Sequence, residues 1–122
     1  MNKELKDKWV EALRSDQYPQ GSHVLRNKAG GFCCLGVLCD LIDPQGWADQ
    51  SLVVGTGHEG YVYRFGDSGA VPFLPKELQK QYFYDGVQDY HIHVFLTDLA
   101  AKNDAGLSFA HIATLIEESE LL

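Results

Sequence analysis

The sequence predicts an α+β fold: one domain over residues 1–122, with a small antiparallel sheet, four to five helices and a buried central helix over residues 32–42. Three observations predict it. Apolar residues recur at helical spacing near both ends, as Leu5, Trp9, Ala12 and Leu13 and again as Phe109, Ile112, Ala113 and Ile116. The run Phe32 to Ile42 is apolar on both helical faces, so neighbours must cover it all round. Between these segments Tyr61, Tyr63 and Phe65 alternate with Val62 and Arg64, the period of two of a half-buried strand.

Taken in order, Lys3 to Arg14 forms an amphipathic helix that Tyr18-Pro19-Gln20-Gly21 follows and stops. A short extended stretch, His23 to Arg26, leads through the turn Asn27-Lys28-Ala29-Gly30-Gly31 into the central helix. Asp43-Pro44-Gln45-Gly46 ends that helix, because proline cannot continue its hydrogen-bond ladder. Leu52 to Val54 is a β-branched run, and Gly55, Gly57, Gly60, Gly66 and Gly69 punctuate a meander of two or three strands. Val71-Pro72-Phe73 belongs at the sheet edge, where a residue without N–H is tolerated.

Pro75 suits the first position of a short helix that places Leu74, Leu78 and Tyr82 on one face and ends near Tyr84, before Asp85-Gly86. Val87 to Val94 is ambiguous between loop and strand. Leu96, Leu99 and Ala100 fit a further helix that Asn103-Asp104-Ala105-Gly106 terminates, and Ser108 is a good N-cap for the last helix.

Composition narrows the function classes. The chain has 122 residues, 45% of them hydrophobic and 22% charged, which suits an ordinary folded domain. Its formal net charge of −7 opposes a phosphate backbone, so duplex nucleic acid is not an expected partner. The charged start Met1 to Lys8 lacks the apolar stretch of a signal peptide, and Phe32 to Ile42 is shorter than the ~20 residues of a membrane span. A cytoplasmic protein without a membrane partner is expected. Three cysteines, two of them adjacent, do not make a disulfide framework.

The segments Trp9 to Arg14 (WVEALR), Phe32 to Leu41 (FCCLGVLCDL), Asn103-Asp104, Ser108-Phe109-Ala110 and Ile112-Ala113 together resemble a family of small proteins found in bacteriophages and mobile elements. The resemblance implies a phage or prophage accessory protein in the cytoplasm of a host cell, and it implies no chemistry. Proteins in that setting bind a host protein or sequester a small ligand, which makes an anti-defence role an expectation by association.

Three constellations are candidates for a site. Gly30 and Gly31 precede the central helix, and backbone N–H groups there can cradle an anion while His23, Arg26 and Lys28 supply positive charge and Tyr61, Tyr63 and Trp47 supply aromatic surface. Cys33 or Cys34 at the start of that helix, with His91 or His93 as base, would suit a thiol-dependent enzyme. His91 and His93, if on a strand, would share a face and an ion, although the cysteine spacing does not support a metal site. No Walker A or dinucleotide fingerprint is present, and no cofactor is expected. The expected function is a non-catalytic binding protein acting on a host protein or an anionic small molecule, with no metal. The alternatives are the thiol enzyme and an interaction protein using its acidic surface.

Overall fold

The computed structural model describes residues 1–53, 58–67, 69–84 and 89–122, with residues 50–53 described in backbone. Helix α1 spans Lys3–Arg14, the bounds its periodicity predicts. The Asn2 side chain accepts from the Leu5 N–H at 3.1 Å and caps the first turn. The helix buries Trp9, Val10, Ala12 and Leu13 and packs against the last helix, α5 (Phe109–Glu118). Arg14 fastens the two with paired hydrogen bonds of 2.9 and 3.0 Å to the Glu117 carboxylate. Ser108 caps α5 as predicted, its Oγ accepting from the His111 N–H at 3.3 Å.

The central helix α2 spans Cys34–Ile42, starting two residues later than its apolar run. Cys33 is its extended N-cap. Phe32 is held outside the helix because its backbone is already hydrogen-bonded sideways: its N–H donates to Pro19 O at 2.8 Å and its carbonyl accepts from the Gly21 N–H at 2.7 Å. The first six residues of α2 are buried, and Cys34, Val37, Leu38 and Cys39 are inaccessible to solvent. Trp9 Nε1 donates to Cys34 O at 2.9 Å, which locks α1 onto this helix.

The segment Val87 to Val94 contains no described strand. Asp89 onward belongs to α4 (Asp89–Asp104), whereas Val87 and Gln88, like Val54, Gly55, Gly57, Asp85 and Gly86, lie outside the described residues. The alternation of His91, Ile92, His93 and Val94 resembles a strand, but Ile92, Leu96, Leu99 and Asn103 repeat at four, three and four residues and are the buried positions of the helix. Helical spacing wins because it gives one continuous face to pack. Helix α3 (Lys76–Tyr82) begins one residue after Pro75, which occupies the N-cap.

The sheet has three antiparallel strands in the order β1 (Arg26–Asn27), β3 (His58–Tyr63), β2 (Trp47–Val53). Arg26 faces Tyr61, and Asp49 faces Tyr61 from the other side. Val71 bridges Tyr63 through two backbone bonds of 2.8 and 2.9 Å, which puts it beside the sheet as expected. The extended stretch predicted from His23 to Arg26 is shorter than expected: β1 begins at Arg26, and His23 adopts a left-handed backbone with φ 72°.

Asn103 and Gln20 tie the turn between α4 and α5 to the chain before β1. Asn103 Nδ2 donates to Gly21 O at 2.8 Å and its Oδ1 accepts from Gln20 Nε2 at 3.1 Å. Gln20 also donates to Leu107 O at 2.8 Å and accepts from the Phe109 N–H at 3.1 Å. With Asn103 almost fully buried, these bonds compensate its desolvation.

Leu38→Asp places an unpaired charge at a solvent-inaccessible position and is expected to destabilise the fold by about 3 kcal/mol or more. Unchanged thermal melting would contradict the packing described for α2. Gly36→Ala tests the backbone contact above that helix, since a Cβ at residue 36 would stand 1.9 Å from Leu25 O. Because the obstacle is main chain, a loss of about 1–3 kcal/mol is expected, read as a lower denaturant midpoint.

Candidate functional site

Arg26, Lys28 and Tyr61 come together, as three of the residues singled out in the sequence. Cross-strand pairing sets Arg26 directly opposite Tyr61. The Arg26 guanidinium carbon lies 4.5 Å from the centre of the Tyr61 ring, 5.3 Å from that of Phe32 and 5.6 Å from that of Trp47. These are cation–π distances. Lys28 Nζ lies 5.1 Å from the same Tyr61 ring and forms an ion pair with Asp49. Among the described residues the Arg26 side chain has no hydrogen-bond or carboxylate partner, and its buried Nε finds no acceptor there.

The rings around Arg26 are themselves anchored. Phe32 packs edge-on against Tyr18 at 5.0 Å and Trp47 at 6.0 Å, and Trp47 packs against Tyr63 at 4.9 Å. Asp40 on α2 accepts from Tyr18 Oη at 2.7 Å and from Trp47 Nε1 at 3.0 Å. Burial, reinforced by the bond to Asp40, pushes the Tyr18 hydroxyl up to about 12. Its neutral form therefore favours the fold below pH ~10, and that contribution is lost as pH rises through about 12.

Other predicted residues have different neighbours. Tyr63 is buried and donates from Oη to Cys39 O at 2.9 Å and Asp43 O at 2.7 Å, so its hydroxyl serves the end of α2. The Gly31 N–H donates to Asn27 Oδ1 at 2.8 Å and the Gly30 N–H to Asn27 O at 3.2 Å; both donors are occupied within the turn. His23 stacks on His58 with ring centres 4.9 Å apart and planes 7° from parallel. The His23 backbone N–H donates to Asp104 Oδ1 at 2.8 Å.

The three thiols are buried and unbonded to one another. Burial raises the Cys33 thiol to about 11 and pushes Cys34 and Cys39 well above the usual thiol range. Cys33 Sγ accepts from the Gly36 N–H at 3.4 Å as the cap of α2, while Cys34 Sγ contacts Leu99 O at 3.6 Å. His91 and His93 lie on the exposed side of a helix, not on a strand. His93 Nδ1 is 3.2 Å from Gln79 Oε1, and the His91 ring packs against Tyr90. Among the described residues no three His, Cys, Asp or Glu side chains are grouped to hold a metal ion, and no helix is long and apolar enough to cross a membrane.

Two apolar depressions of about 110 and 210 Å³ share Leu35, Phe73, Leu74 and Ala100 between α2, α4 and the 72–74 segment. A wider, open hollow of about 540 Å³ beside α3 is bordered by the charged side chains Asp67, Glu77 and Lys80. Arg26, Lys28 and Tyr61 line none of these three hollows. Phe32 and Asp49 are the members of the aromatic and charged cluster that sequence reasoning missed. Phe32 continues the apolar run of α2 in sequence but lies outside the helix, and the register that brings Asp49 to Tyr61 leaves no local signature.

Fold and cluster together define a small α+β protein with a half-buried arginine set among aromatic rings. The family model described as Domain of unknown function (DUF8296) matches residues 1–120, and the chain belongs to that family. No curated protein and no solved structure matches the chain.

The thiol geometry has a direct test. Native-state alkylation of Cys33, Cys34 and Cys39, followed by intact mass, is expected to stay slow through neutral pH and to accelerate only toward pH ~11 or on unfolding. Rapid modification of one cysteine near pH 7 would return a nucleophilic thiol to consideration.

Proposed function

We propose that this chain is a non-catalytic binding protein that receives an acidic group of a partner protein at Arg26, with Lys28, Tyr61 and Trp47 beside it. The observation that carries the reading is the guanidinium itself: half-buried, held by three rings, and without an acceptor among the described residues. A hydrogen bond from a guanidinium to a charged acceptor contributes about 1.5–3 kcal/mol. An incoming oxyanion therefore has a local driving force there.

A partner protein suits this position better than an enclosed small molecule. Small-ligand sites are concave and bury most of their ligand, whereas the Lys28–Asp49 pair at this cluster is solvent-accessible, Asp49 by 67% of its side chain. Arginine, tyrosine and tryptophan are also the side chains that most often dominate protein interfaces. The resemblance to bacteriophage and mobile-element proteins supports a host protein as the partner and an accessory, anti-defence setting. The raised thiols do not favour the enzyme alternative.

The test compares the parent chain with Arg26→Gln and Arg26→Lys in quantitative capture from a lysate of the expressing cell. Both variants are expected to retain the parent's circular dichroism. The protein captured by the parent should bind Arg26→Gln at least about tenfold more weakly, with the parent's binding weakening as salt rises. Arg26→Lys should recover only part of the affinity, because an ammonium lacks the planar fork. Equal capture by a folded Arg26→Gln variant would defeat the reading.

A further inference from the structure

We infer that the group received at Arg26 is a carboxylate and that Asp49 is its built-in competitor, an inference that rests on the binding role proposed above. Across the sheet, Arg26, Tyr61 and Asp49 are in register on three adjacent strands, so their side chains share one face. One ring, that of Tyr61, has the Arg26 guanidinium at 4.5 Å and Lys28 Nζ at 5.1 Å. Two cations converge on it, and among the described ion pairs Asp49 is paired with Lys28 and not with Arg26.

The arrangement has an electrostatic consequence. With Asp49 on Lys28, the local excess positive charge resides on Arg26. An external carboxylate approaching Arg26 meets Asp49 as a like charge, and it gains most when Lys28 is released to share it. The contact that now occupies Lys28 is a carboxylate on an exposed side chain, so the exchange replaces one acid with another of the same kind. Exposed ion pairs are worth between zero and about 1 kcal/mol, so their exchange is reversible and its effect on affinity is modest. The net charge of −7 does not forbid it, because charges more than ~8 Å apart are largely screened at physiological salt.

The experiment uses the full chain and a fluorescein-labelled octaglutamate peptide, with binding read by anisotropy and with inorganic phosphate and acetate as competitors. Asp49→Asn is expected to bind the peptide about two- to fivefold more tightly than the parent. Glu118→Gln, which removes the same charge from an exposed position on α5, should match the parent. Arg26→Gln should weaken binding at least tenfold. Asp49→Ser replaces Asp49→Asn if the latter has a lower melting temperature than the parent.

A gain no larger than that of Glu118→Gln would overturn the competitor role. Continued loss with Arg26→Gln would then leave the proposed binding role standing. Failure of octaglutamate to bind any variant, or displacement by phosphate at lower concentration than by acetate, would overturn the carboxylate assignment. Partner capture that depends on Arg26 decides the binding role separately.

Discussion

The carbonyl of Leu25 rests on Gly36, and much of the molecule depends on that contact. A side chain at residue 36 would put its Cβ 1.9 Å from this oxygen, so the close crossing exists only with glycine. The same carbonyl accepts the Cys33 N–H at 3.1 Å, immediately before α2. One atom thus fixes the chain entering the 27–31 turn to the helix that follows it. Arg26 is the next residue after Leu25, and Phe32 is the residue before Cys33. The crossing that seats the central helix also brings the cation and one of its rings together.

Polar anchors hold the other end of the same helix. The Tyr63 hydroxyl lies within hydrogen-bond distance of the carbonyls of Cys39 and Asp43, each of which also accepts one backbone N–H, so it adds a tertiary tie to the end of the helix. Asp40 draws Tyr18 from the segment after α1 and Trp47 from the start of β2. A nine-residue helix is too short to persist alone, and it is stable here because apolar neighbours surround it and side-chain hydrogen bonds serve its ends. The arrangement of rings around Arg26 follows from this anchoring of α2.

Helices with one apolar face are legible in the sequence, and α1 and α5 appear where their periodicity places them. Legibility fails where tertiary contacts decide. Phe32 continues the apolar run of α2 in sequence, but its backbone pairs with Pro19 and Gly21, which no local pattern announces. The His91 to Val94 alternation gives a false period of two until Ile92 is matched to Leu96 and Leu99 one and two turns on. For the candidate site, Arg26, Lys28 and Tyr61 are visible as residue types near a turn and on an alternating strand. Their convergence, and the presence of Asp49, depend on a strand register that hydrophobic spacing does not encode.

A cationic site proposed on an acidic protein is not a contradiction once the cations are followed individually. Lys3, Lys8, Arg14, Lys28, Lys80 and Lys102 each meet a carboxylate of the same chain. Most of these pairs are exposed, where water serves both partners and little stability is gained. Arg26 differs because protein covers its Nε, for which no acceptor is found among the described residues. Cation–π contact offsets part of the cost of that burial without accepting a hydrogen bond. A guanidinium held by rings and without a carboxylate among the described residues differs from a surface lysine that already meets an acid. The proposed binding role therefore rests on the local state of one guanidinium more than on the sum of the surface charge.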